Sequence, residues 1–216
     1  MNPLLDFDSL PRFDAIRPEH VRPAIEQLLE ENRALVARLG DDPAPANWEN
    51  FVAPLTDGGE RLSRAWGIVG HLHSVLDVPE WREAYNAMLP EVTRFYSELG
   101  QNLKLFGKFR GIRDDPEFER LIPVRRRIVE NEVRDFRLAG AELPAERKPR
   151  FQAIQEELAS LGAKFQENLL DATNAFERCA RSPDEVSGIP EDVLETAHAA
   201  AVKAGKDGWR FTLQAP

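Results

Sequence analysis

His71 and His73 stand one residue apart in GHLHSVLDVPEWREAYNAMLP, residues 70–90, and an H-x-H pair can supply two nitrogens to a metal ion. That chemistry needs an extended or irregular backbone. On a helix, residues two apart point about 200° away from each other, so two such imidazoles cannot chelate one ion. A helical chelate uses i,i+4 spacing, as in H-E-x-x-H. His73 falls on an apolar stripe with Leu62, Trp66, Val69 and Leu76, which reads as helical, and His71 falls on the opposite face. We expect His73 to face the interior with a hydrogen-bond partner, His71 to lie at the surface or in a second layer, and neither to bind metal. His20 and His198 start no H-E-x-x-H, and Cys179 has no histidine near it in sequence to activate it. There is no G-x-S-x-G, no phosphate-binding glycine loop and no C-x-x-C. Glu156-Glu157 is the kind of carboxylate pair that any helix of this charge density contains. No residue is assigned as catalytic, metal-binding or substrate-binding.

Composition narrows the classes that remain. The 216 residues carry a formal charge of -9, with 42% hydrophobic and 30% charged residues, as in an ordinary globular domain with a real core. No apolar run approaches the roughly 18 residues that a membrane span needs. The first twenty residues show no basic-then-apolar leader. One cysteine excludes an internal disulfide and points to a reducing, cytoplasmic setting. The acidic balance argues against nucleic acid. The basic triplet Arg125-Arg126-Arg127 is followed by Glu130, Glu132 and Asp135. Glu130 can pair with Arg134, and a solvated helix face is the expectation there.

The elements that must position these residues are helical. Residues 18–40 read as a helix with Pro18 at its first position and the stripe Val21, Ile25, Leu28, Leu35, Leu39; Asn32 fills a gap in it as an interior hydrogen-bonded group. Asn47 caps a short helix ending near Thr56, where Asp57-Gly58-Gly59 breaks or bends it. Pro79 restarts a stripe of Trp81, Tyr85, Met88, Val92, Phe95 and Leu99, with a kink expected at Pro90. A helix from Asp114-Asp115-Pro116 to about Gly140 presents Val129, Val133 and Phe136. Residues 144–180 read as the longest helix, on the order of 55 Å, with the stripe Phe151, Ile154, Leu158, Leu161, Phe165, Leu169, Ala172, Phe176. A short helix over 190–204 stops at Gly205. Trp209, Phe211 and Leu213 then alternate with Arg210, Thr212 and Gln214 as a strand with no visible partner. The expectation is an all-α, elongated antiparallel helical bundle whose terminal strand is left unpaired by truncation, because a lone strand is not stable.

Several segments in order resemble the thimet oligopeptidase family of zinc peptidases. LPRFDAIRPEHVRPAIEQLLEENR resembles its I-x-P-E-H-V-x-P-A-I start, NWENFVAPL its W-E-N-x-x-x-P-L, and HLHSVLDVPEWREAYNAMLP its H-L-N-S-V…R-E-A-Y…L-P. ELASLGAKFQENLLDAT, GIPEDVLETAHAAA and WRFTLQAP resemble later segments, so the likeness covers essentially the whole chain. Each motif is weak alone, and the ordered set is specific. The family places Asn where this chain has His73, which also argues against a ligand there. The resemblance implies a two-lobed, mostly helical enzyme that hydrolyses short peptides in a channel between the lobes. Its one zinc is held by the histidines of H-E-x-x-H and a later glutamate, none of them present here. On that reading residues 1–181 are the non-catalytic N-terminal lobe and 182–216 lead into an absent catalytic lobe, its natural partner. The isolated chain would be inactive and bind no zinc. The alternatives are a free-standing helical binding module and the lobe of a catalytically inactive paralogue.

Overall fold

Proline and asparagine set where the helices begin in the computed structural model, which describes residues 2–76 and 78–214. Pro18 opens a single 3-10 turn that continues into α1, Val21–Asp41. Val21, Ala24, Ile25 and Leu28 are fully buried on its inner face. Asn32 is buried among them, and its Nδ2 donates to the Leu28 carbonyl at 2.8 Å, the expected way of satisfying an interior amide. Asn47 accepts from the Asn50 N–H at 2.9 Å and caps a π-turn, Trp48–Val52. That turn flows into α2, Ala53–Leu76. The short helix expected to end near Thr56 therefore does not end there, and of the two alternatives at residues 57–59 a break is ruled out. Gly58 sits where α1 comes close, and a Cβ there would lie 2.3 Å from Leu35 Cδ2, so this glycine makes room for a neighbour instead of ending a helix.

Helix α3, Pro79–Gly100, continues through Pro90 and buries Trp81, Met88, Val92 and Phe95. Helix α4, Leu103–Asp114, is absent from the sequence reading. Asn102 caps it, accepting from the Lys104 and Leu105 N–H groups at 3.0 and 3.1 Å. The helix expected from 114 to 140 is interrupted. A 3-10 turn, Pro116–Arg120, comes first, and α5, Pro123–Leu138, starts afresh. Pro123 disfavours helical backbone at the residue before it, and Ile122 is accordingly extended, with ψ 150°. Two hydrophobic clusters result within the first of two compact units, Met1–Leu161. One joins Leu4 and Ile16 to α1, α2 and α3; the other joins Leu39, Phe51 and Val52 to α4, Phe118 and α5. The all-α expectation holds, since about three quarters of the chain is helical.

Helix α6, Lys148–Ala175, ends five residues short of the expected position. In the second unit, Gly162–Pro216, the next residues form β1, Glu177–Ala180, then a 3-10 turn, α7, Glu191–Lys203, and β2, Trp209–Thr212. The terminal strand is not unpaired. It runs antiparallel to β1 with Glu177 opposite Thr212 and Ala180 opposite Trp209, and α7 packs against β2. The partner was hidden because Glu-Arg-Cys-Ala shows no apolar alternation; pairing makes it a strand. Gly208 permits the approach, at φ +87° with a would-be Cβ 2.1 Å from the Ala180 carbonyl oxygen.

Gly208→Ala combines a left-handed backbone with a clash against main chain, which should cost the second unit at least about 2 kcal/mol. Amide exchange at residues 177–180 and 209–212 should speed up while that of α1 stays unchanged. Unaltered exchange in the strands would overturn this account of Gly208.

Candidate functional site

Helix α2 places His71 and His73 on opposite sides, as the spacing requires. His73 is 2% exposed and stacks on the Tyr85 ring at 4.4 Å, 11° from parallel. Trp66 covers the other part of that stack, 4.8 Å from Tyr85. His71 is exposed and meets Phe13 edge-on at 5.4 Å. The other two histidines serve the backbone. His20 Nδ1 accepts from the Arg17 N–H at 3.0 Å, and His198 Nδ1 lies 2.9 Å from the Gly208 carbonyl oxygen. Among the described residues, no three His, Cys, Asp or Glu side chains gather as a metal site. The zinc that the resemblance implies has no matching donor set among them.

Other chemistry-bearing residues are likewise engaged. Arg125 pairs with Glu49 at 2.9 Å and lies over the Trp48 ring at 4.6 Å. Arg126 pairs with Glu119 at 2.7 Å. Glu130 faces Arg127 at 4.0 Å and not Arg134, which bonds Asn131 and Asp135 instead. Cys179 is a half-buried free thiol in β1, opposite Arg210.

Glu132 and Glu177 are displaced in opposite directions. Glu132 borders a small cavity of about 190 Å³ with Asn32, Tyr96 and Phe136. Burial, and secondarily Asp135, pushes its carboxyl up. In the second unit Glu177 accepts hydrogen bonds from Lys206 and, at 2.9 Å, from Arg210, which hold its carboxyl below the usual range.

The feature that sequence reasoning placed least well is the α6 stripe. In the first unit Ile154, Leu158 and Leu161 are 37%, 58% and 55% exposed; in the second, Phe165, Leu169 and Phe176 are 68%, 56% and 44% exposed. Ala163 is the one buried residue that α6 contributes among the described residues. The 3–4 spacing marked an apolar face correctly but carried no information about whether anything in the chain would cover it.

The described residues form a mostly helical fold in which one apolar face of α6 is exposed. The family model described as Neurolysin/Thimet oligopeptidase, N-terminal domain, matches residues 25–148, and the chain belongs to that family. It is 38% identical over 215 residues to oligopeptidase A of Haemophilus influenzae, an alignment covering all of this chain and 31% of that protein. It is 37% identical over 215 residues to oligopeptidase A of Escherichia coli, again over all of this chain and 32% of the relative. It is 27% identical over 221 residues to the dipeptidyl carboxypeptidase of Escherichia coli, covering 99% of this chain and 32% of that protein. The chain spans about a third of the length of these curated relatives.

His73→Ala should empty half of a ring stack and cost about 2 kcal/mol or more, read as a lower Tm, whereas added zinc should leave the wild-type Tm unchanged. A zinc-dependent rise that His73→Ala abolishes would reinstate the metal reading. The displaced carboxyls give a pH test. Glu132, raised in the folded state, costs stability as pH climbs through the carboxylate range, so Glu132→Gln should raise the neutral-pH Tm, by at most about 3 °C for a chain of this size. Glu177, lowered in the folded state, contributes stability above the ordinary carboxylate range and loses it as pH falls through its depressed value. The Trp209 indole resonance should report that acid-side loss, and Glu177→Gln should flatten it.

Proposed function

We propose that this chain is the non-catalytic helical lobe of a zinc metallo-oligopeptidase that hydrolyses short peptides in a channel between two lobes. Residues 1–181 form the lobe and 182–216 lead toward a catalytic lobe. The observation that carries the reading is coverage: the whole chain aligns with oligopeptidase A, yet over only about a third of the relatives' length. The open α6 face supports it, because contiguous large apolar side chains on a helix ordinarily mark a surface that another protein segment covers. The occupant in this reading is the catalytic lobe of the same polypeptide.

The role that follows is steric. A wall of packed helices beside a channel admits flexible peptides and rejects folded proteins, and its motion against a second lobe can gate access. Zinc is proposed for the whole enzyme, held by residues outside these 216. No described helix is long and apolar enough to cross a membrane, and the single cysteine suits a reducing, cytoplasmic compartment.

A second reading, a free-standing helical binding module, gains from one observation: β2 finds its strand partner inside the chain. Peptide cleavage separates the two. The purified 216 residues should show no chelator-sensitive hydrolysis of a fluorogenic peptide, while the product of the reading frame extended past residue 216 should show it. Robust cleavage by the 216 residues would overturn the non-catalytic assignment. A frame that ends there would favour the binding module.

A further inference from the structure

A cavity of about 190 Å³ lies within the first unit where α1, α2, α3, α4 and α5 converge. Its floor is aromatic, because Phe95, Phe109 and Phe136 are all buried there. Thr56 and Tyr96, both exposed, line its opening. Every polar side chain on the lining can accept a hydrogen bond, and among the described residues no lysine or arginine lines it. Asn32 is 5% exposed. Its Nδ2 is engaged by the Leu28 carbonyl, whereas its Oδ1 takes no hydrogen bond among the described residues. That oxygen faces α2, 3.5 Å from where a Cβ on Gly58 would stand, next to Thr56 and Gly59 of the lining. Thr56 Oγ1 donates to the Val52 carbonyl at 2.9 Å, which leaves its lone pairs to accept. Glu132 completes the set, and the charge that bears on it is that of another acid, Asp135.

A buried acceptor without a donor is costly, and so is a half-buried carboxylate without a counter-charge. A primary ammonium answers both, since it brings three N–H donors, no acceptor and a positive charge. The aromatic floor suits the same group, because ring faces attract cations and an alkyl stem gains apolar cover. A cavity of about 150 Å³ admits benzene, so there is room here for a four-carbon alkylammonium. We propose that this cavity binds a primary alkylammonium group, its N–H groups directed to Asn32 Oδ1, Thr56 Oγ1 and the Glu132 carboxylate and its stem against Phe95 and Phe136. Burial displaces the Glu132 carboxyl upward with no cation to oppose it, and a bound ammonium should draw it back down. A free amine and a lysine side chain carry the same chemistry. The site rests on the first unit alone and is independent of the oligopeptidase reading.

NMR titration of the 216-residue chain at neutral pH tests it with four probes: n-butylammonium, Nα-acetyl-lysine N-methylamide, tetramethylammonium and 1-butanol. Butylammonium should give saturable shifts at the Asn32 side-chain amide with a roughly millimolar Kd. Tetramethylammonium, which has the charge without the N–H groups, and butanol, which has the stem without the charge, should each bind at least about tenfold more weakly. Glu132→Gln should weaken butylammonium about tenfold without lowering the Tm, and Glu157→Gln, away from the cavity, should leave it unchanged. Equal shifts with the lysine derivative would support the site as one for lysine side chains, and shifts with butylammonium alone would support it as one for free amines. Absence of saturation by both amines, tetramethylammonium or butanol binding as tightly as butylammonium, or full affinity in Glu132→Gln would each overturn it.

Discussion

Burial of one face of α1 is the constraint on which the first unit depends. Val21, Ala24, Ile25, Leu28 and Leu29 lie against α2, α3 and the N-terminal segment, and Leu39 at the far end belongs to the second cluster with α4 and α5. Each large side chain so buried contributes about 1.5–3 kcal/mol. A handful of them therefore rivals the 5–15 kcal/mol net stability of a typical domain. Asn32 interrupts this face without weakening it, because its amide is returned to the helix's own Leu28 carbonyl. Gly58 matters for the same reason, since it lets α2 come close to Leu35 on α1.

The legible parts of the fold were those in which local pattern and tertiary outcome coincide. Pro18, Asn47, Pro79 and Gly205 marked real boundaries, and the stripes of α1, α2 and α3 are largely buried as read, with Leu76 an exposed exception. The misses share a cause. Helix α4 carries Leu105, Phe106, Phe109 and Ile112 at helical spacing behind an Asn cap, but its glycines and lysines dilute the signal. Strand β1 has no strand pattern of its own and exists because Trp209–Thr212 needs a partner. Pro123 divided a helix that Asp114 and Pro116 seemed to open, because proline constrains the residue before it more strongly than an upstream cap can compensate.

The α6 stripe shows a different limit. Periodicity identifies which residues share a face and is silent on what meets it. The same steps of three and four residues bury Val129, Val133 and Phe136 on α5 and expose Leu158, Phe165 and Leu169 on α6. What separates them is supply: α5 faces four apolar residues of α4, whereas nothing described in the chain offers an equivalent surface to most of α6. An exposed run of this size is expensive in water, and covering it is what the proposed second lobe would do.

The candidate chemistry of the sequence dissolves for a related reason. Helical architecture spreads neighbouring donors around an axis, so His71 and His73 part company at once. The remaining reactive types are absorbed locally: His20 at a helix start, His198 at the Gly208 carbonyl, Glu177 between Lys206 and Arg210, and the arginine triplet by Glu49, Glu119 and Glu130. The α6 face is where apolar area is left uncovered among the described residues, and the whole chain aligns with about a third of oligopeptidase A.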